Sequence, residues 1–225
     1  MSLMLTRLLQ LASPALPVGA YSYSQGLEWA IEAGTVKDEA SALRWMGDQL
    51  EWNTGRYEAP LLVRMIAAWL TGADDTVRAL DERYLASRET AELRAETLQM
   101  GHSLRRLLDD LRELPPEFIG HVAASPAPTF MHVWSGLAAT WQIAPREALT
   151  AWLWSWAENQ AMAALKAVPL GQAAGQRILL ELGARIPAVV ERALDTPDEN
   201  FSNFAPGFAI ACARHETQYS RLFRS

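Results

Sequence analysis

Cysteine occurs once, at position 212. A single thiol cannot close an internal disulfide, and without a CxxC pair or clustered Cys and His there is no structural zinc site to read. The cytoplasm is therefore the default compartment. Basic charge is also scarce: 20 Lys and Arg stand against 26 Asp and Glu, a formal net charge of −6. Neutralising phosphates needs the opposite balance, so neither nucleic acid nor an anionic membrane is an expected partner. With 13 Gly and 12 Pro the chain is too poor in both for a fibrous or low-complexity protein. A content of 50% hydrophobic and 20% charged residues excludes a disordered one. The phosphate-cradling GxxxxGK[ST] loop is missing, since Gly171-Gln172-Ala173-Ala174-Gly175 lacks the lysine. GxSxG and HExxH are missing too, so no intrinsic GTPase, serine-hydrolase or zinc-protease chemistry is written here.

No charged residue lies between Arg7 and Glu28. Pro14, Pro17, Gly19 and Gly26, with the interspersed Ser and Gln, interrupt that stretch well short of the ~18 to 20 residues of a bilayer span. It reads as a flexible N-terminal segment rather than a signal peptide or anchor. Residues 118 to 176 carry only Arg146, Glu147, Glu158 and Lys166 but contain Pro126, Pro128, Pro145 and Pro169, which suggests buried interior or interface.

What is present is helical periodicity, and the fold class expected is all-α, a single domain over residues 1 to 225. Gly34 and Thr35 end a first short helix. Asp38 caps a second that runs to about Asn53, and Glu58 to Leu70 makes a third. Thr71 to Asp75 is a stop followed by a cap and first-turn charges for a fourth helix, ending near Ala86. A long helix spans Arg88 to Leu114, with Leu104, Leu107, Leu108 and Leu111 on one face, until Pro115-Pro116 stops it. Thr129 to Trp141 and Pro145 to Val168 follow. Trp152, Trp154 and Trp156 point in different directions around the second of these, which predicts a central helix covered on most sides. Pro169 opens another helix, with Pro187 as a kink or break, and a last one starts near Pro206. A tail of about residues 216 to 225 should fray if alone.

Candidate chemistry is thin. Asp109-Asp110 with Glu113 resembles the acidic motif by which all-α isoprenoid enzymes hold Mg²⁺, and a magnesium-dependent enzyme of that kind is the alternative reading. Arg105, Arg106 and Arg112 stand at helical spacing to pair with it, however, and no second Asp-rich helix is visible, so a solvated face is the simpler account. His102, His121, His132 and His215 show no metal-binding spacing among themselves. Cys212 and His215, at i and i+3, are candidates for sharing a soft metal, a spacing that chance also produces. Nothing pairs a nucleophile with a base, so the residues alone describe a helical binding protein and not an enzyme.

Four stretches add to this. Residues 13 to 28, SPALPVGAYSYSQGLE, then Arg88-Glu89-Thr90 with Glu92-Leu93-Arg94, then Lys166-Ala167-Val168-Pro169-Leu170-Gly171-Gln172 with Gly175-Gln176, and finally His215 to Phe223, HETQYSRLF, together resemble the UreF family of urease accessory proteins. They come in the family's order and span nearly the whole chain. The resemblance implies an all-α, typically dimeric adaptor that assists nickel delivery to apo-urease in a complex with the UreD (or UreH) scaffold and the GTPase UreG. It implies no tightly bound cofactor, with nickel passing only transiently. The partner-binding residues it points to are Tyr21, Glu28, Lys166, Gln172, Tyr219, Arg221, Leu222 and Phe223. Tyr21 either packs on the neighbouring turn or helps recruit the GTPase. Lys166, one of two lysines, is either a solvated cation complementing a helix C-terminus or a GTPase-facing charge. Arg221, Leu222 and Phe223 are expected to be ordered by the scaffold partner. The sequence departs from the family pattern in having Gln25 where a histidine often precedes Gly-Leu-Glu, and no His or Cys from Asp198 to Phe204, so neither place is carried over as a metal site.

Overall fold

Helices account for every regular element among the described residues of the computed structural model, which are 2–111 and 113–225. Met1 and Arg112 lie outside them, and with Arg112 goes its suggested pairing to the acidic run. The elements are α1 (Ser2–Ala12), α2 (Leu27–Glu32), α3 (Glu39–Asp48), a π-helical segment (Gln49–Glu58), α4 (Ala59–Thr71), α5 (Asp74–Ala86), α6 (Ala91–Asp110), α7 (Pro116–Ala124), α8 (Phe130–Thr140), α9 (Pro145–Ala167), α10 (Gln172–Asp195) and α11 (Pro206–His215). Their starts follow from local chemistry. Asp38 accepts the Ser41 N–H while the Ser41 hydroxyl faces the Asp38 N–H, a reciprocal cap. Thr90 and Thr129 cap α6 and α8, and prolines sit in the first turns of α7, α9 and α11, where their missing N–H costs nothing.

Three local expectations are corrected. The stretch before Leu27 contains helix α1, which packs on α9. Its apolar residues lie on both faces, and Leu3, Leu5 and Leu9 remain exposed, so no one-sided periodicity announced it. The break between Asn53 and Glu58 is absent. The backbone widens by one residue per turn and carries α3 into α4 without a stop. Gly55 permits this: a Cβ there would stand 2.5 Å from the Leu50 carbonyl and 2.8 Å from Val189 of α10. Pro187 does not break α10 either. It faces solvent, where water can take the carbonyl it frees, while α9 and α3 hold the helix on its other side.

The core lies along α4, α8, α9 and α10. Leu61, Leu62, Met65 and Ile66 of α4 are completely buried, as are Met131 and Val133 of α8 and Leu149 and Leu153 of α9. The indoles of α9 do point to different neighbours. Trp152 stacks on Phe130 with ring centres 5.2 Å apart and meets Trp134 edge-on. Trp154 lies against Gly183 of α10, and the Trp156 Nε1–H donates to Gln25 Oε1 at 2.9 Å. Only Trp152 is buried, the other two being half-exposed. No helix of the described residues is long and apolar enough to cross a membrane.

Candidate functional site

Three segments remote in sequence meet at the start of α2. Gln25 and Gly26 both take positive φ, 52° and 75°, which turns the chain sharply into the helix. A Cβ on Gly26 would lie 3.0 Å from the Cys212 nitrogen and sulfur, so glycine is what lets α2 seat against α11. On the facing side, Arg88, Glu92 and Glu96 follow one another at four-residue spacing and present their side chains to the same region.

The C-terminal segment fills the space between them. Glu28 Oε1 accepts the Leu222 N–H at 2.6 Å and Glu28 Oε2 accepts the Phe223 N–H at 3.0 Å. His215 is completely buried, with Nε2 3.3 Å from Glu28 and Nδ1 2.6 Å from Glu92. Each ring nitrogen thus faces one carboxylate oxygen, one from Glu28 and one from Glu92. Arg221 donates to the second Glu92 oxygen at 2.6 Å. At the chain end the Ser225 carbonyl accepts from the Ser24 and Gln25 N–H groups and the Ser24 hydroxyl, and the Ser225 hydroxyl donates to Glu96 at 2.8 Å.

Next to this network the Lys166 Nζ stands over two rings, 5.6 Å from the centre of Tyr21 and 5.7 Å from that of Phe223. Both Lys166 and Tyr21 line a cavity of about 210 Å³ whose other lining residues include Trp156, Trp152 and Trp134 and the buried Glu96, Tyr84 and Glu58. Its polar lining is tied into a buried charged network. Arg88 donates to Glu58 at 2.8 Å with both side chains buried. Burial alone would weaken the Arg88 charge, yet the Glu58 carboxylate holds it above its usual range. Burial, with the Glu58 charge added, keeps the Tyr84 phenol protonated well beyond the ordinary range. Burial pushes Glu96 up to about 7, against the opposing hydrogen bonds from Gln25 and Ser225.

One or more residues from each of the four stretches singled out in the sequence therefore meet here, Tyr21 and Glu28, Glu92, Lys166, and His215 with Arg221 to Phe223. The family model described as UreF matches residues 36–183. A protein named urease accessory protein UreF from Dechloromonas aromatica is 61% identical over 224 residues, covering 99% of this chain and 98% of its own. One of the same name from Azoarcus sp. is 60% identical over 98% of this chain and 95% of its own, and one from Methylobacillus flagellatus 52% over 98% and 97%. The chain belongs to the UreF family. The family model stops short of residues 13 to 28 and 215 to 223, whereas these relatives align across nearly the whole chain, including the segments that pack together here.

Within this UreF-family chain, Tyr21, Glu28, Lys166, Arg221 and Phe223 come together as described. Gln172, the first residue of α10, is exposed and stands apart from that group, and the Tyr219 and Leu222 side chains point to solvent. The expected fraying tail is corrected: buried Phe223 and Ser225, with the bonds above, tie residues 221 to 225 to the body. Cys212 and His215 do not act as a pair. The thiol packs with Leu93 and Phe208, and burial, then the Glu96 charge, push its pKa upward, while His215 is taken up by Glu28 and Glu92. Among the described residues no group of three or more His, Cys, Asp or Glu is placed to hold a metal. Asp109 and Asp110 are exposed at the C-terminal end of α6, outside the cavity, and Arg105 turns from them to the carbonyls of Ala123 and Ser125. Sequence reasoning passed over Glu92, Glu96 and Gln25 as site residues. The signal that could have found the two glutamates was the four-residue recurrence of Arg88, Glu92 and Glu96 among the buried Leu93, Thr97 and Met100, whereas nothing local marked Gln25.

Proposed function

We infer that this chain serves urease maturation as a non-catalytic adaptor that joins the UreD/UreH scaffold protein to the UreG GTPase while nickel is delivered to apo-urease. The observation that carries the reading is the clustering of Tyr21, Lys166 and the C-terminal segment on one side of the fold. Lys166 and Tyr21 face outward there, with Tyr21 exposed, and a cation supported by two aromatic rings suits a surface that meets an acidic patch on a partner. Glu28 holds the tail in place, so the exposed Tyr219 and Leu222 side chains are presented as anchors for the scaffold protein. Gln172, exposed at the start of α10, is in this reading a separate point of partner contact. Nickel is the cargo of the assembly, and the chain's own part is to hold the partners in register and to influence GTP hydrolysis.

In this reading the adaptor works in the cytoplasm as a homodimer, using part of its low-charge surface. The test is Lys166→Ala in the assembled accessory complex. The variant should fold normally, because a solvent-facing charge contributes little to stability, but should recover less GTPase in pull-down and activate urease poorly with nickel. Undiminished recruitment together with full activation would return Lys166 to a purely local role.

A further inference from the structure

The cavity beside the tail has a lining of two kinds. Leu11, Met100, Phe130 and the indoles of Trp134, Trp152 and Trp156 line its length. Two buried carboxyls, Glu58 and Glu96, line it as well. Glu58 is matched by the Arg88 guanidinium. Glu96 has neutral donors only, Gln25 Nε2 at 2.7 Å on one oxygen and the Ser225 hydroxyl at 2.8 Å on the other. Among the described residues no cation forms an ion pair with it, since Arg88, whose charge reaches it, is bound to Glu58.

We propose that this cavity is a binding site for a small organic ammonium compound, with its apolar body against the indoles and its ammonium group on the Glu96 carboxylate. The cation supplies at close range the counter-charge that Arg88, bound to Glu58, exerts on Glu96 only from a distance, and the faces of the indoles favour positive charge in a desolvated space. An anion would be repelled by Glu96, and a neutral molecule would leave the carboxyl as it is. Lys166, over the rings of Tyr21 and Phe223, also lines the cavity and disfavours ligands with a second positive charge. The volume of about 210 Å³ suits a fragment-sized ligand.

Glu96 is faced by Glu58, Tyr84 and Arg88, by Tyr23, Gln25 and Ser225, and by Cys212 of α11. Burial leaves it largely protonated below neutral pH, so an ammonium ligand must displace a proton at pH 6 and need not at pH 8. Binding should therefore tighten about ten-fold between those values.

The test uses the full chain and its tryptophan fluorescence, with 2-phenylethylammonium chloride as probe and 2-phenylethanol and 3-phenylpropanoate as comparisons. Calorimetry in two buffers of different ionisation enthalpy reads the released proton. The ammonium compound should saturate the signal, bind about ten-fold tighter at pH 8 than at pH 6, and exceed the alcohol by about ten-fold. Glu96→Gln should remove both the pH dependence and the preference for charge. Because that variant also touches the tail, Met162→Arg, on the exposed rim, supplies a second check and should weaken the ammonium about ten-fold with an unchanged circular dichroism spectrum. The proposal is overturned by the absence of a saturable signal at 10 mM, by equal binding of the alcohol, by tighter binding of the propanoate, or by Met162→Arg and Glu96→Gln both binding like the parent.

Discussion

Glu28 is a buried carboxylate whose two oxygens hold successive backbone N–H groups and a histidine, which makes it the most committed side chain of the site. Glu28→Gln puts an amide N–H₂ where an acceptor is required and leaves one tail N–H without a partner. A loss of about 1–3 kcal/mol is expected, read by urea unfolding, with faster amide exchange at Leu222 and Phe223. Exchange as slow as in the parent chain would mean that Glu28 does not hold the tail. Glu96 behaves differently. Its folded pKa, up to about 7, exceeds that of an ordinary glutamate, so the folded chain binds the extra proton and the unfolded chain does not. Stability from this group is thus present at acid pH and declines as pH rises from about 4.5 to 7. Glu96→Gln, which carries no charge to bury, should gain on the parent over that interval by at most about 3 kcal/mol. The measurement is the difference in unfolding free energy at pH 5 and pH 8, and a difference that does not grow with pH contradicts the assignment.

At the scale of elements, the tail and the π-helical segment are where tertiary packing overrode local rules. Deleting Tyr219 to Ser225 removes the buried Phe223 and strips Glu28, Glu92 and Glu96 of donors. Loss of a buried Phe side chain alone costs about 3–5 kcal/mol. The truncated chain is therefore expected to melt well below the full-length one, and an unchanged melting temperature would show that the tail adds nothing to the fold. Gly55→Ala forces a methyl group toward the Leu50 carbonyl and Val189. It should cost about 1–3 kcal/mol as overpacking does, without altering helix content by circular dichroism.

For the whole molecule the notable feature is exposed apolar area at both ends of the chain. Leu3, Leu5 and Leu9 on α1, and Phe204, Ile210, Tyr219 and Leu222 near the C-terminus, are all solvent-exposed. Patches of this kind commonly mark surfaces that partners cover. Self-association at tens of micromolar, a range in which a dissociation constant of micromolar order leaves mostly dimer, is the expected outcome of sedimentation velocity. A strict monomer at that concentration would remove the dimer from the proposed function. Retention of the dimer by a variant with Leu5 and Leu9 changed to Ser would move its interface away from α1.

Helix content and most helix starts were legible in the sequence, because caps such as Asp38 and Thr129 and first-turn prolines act within four residues of where they stand, although the cap at Thr90 was passed over and α6 was expected to start at Arg88. The recurring apolar spacing of α4, α6 and α10 was legible for the same reason: it needs only the helical repeat. The family, too, could be read from four short stretches in order. What depended on the tertiary structure was everything decided by neighbours distant in the chain. Residues 221 to 225 look free because their partners lie some 130 to 200 positions earlier, at Ser24, Glu28, Glu92 and Glu96. The expected break near Gly55 did not occur, for its vacant side disappears against Val189 of α10. Cys212 and His215, neighbours by spacing, are separated by what each meets, a small apolar cluster for the thiol and two carboxylates for the ring. Local propensity sets a helix's ends and its apolar stripe, whereas the charge state and accessibility of a buried group are set by what the rest of the chain brings against it.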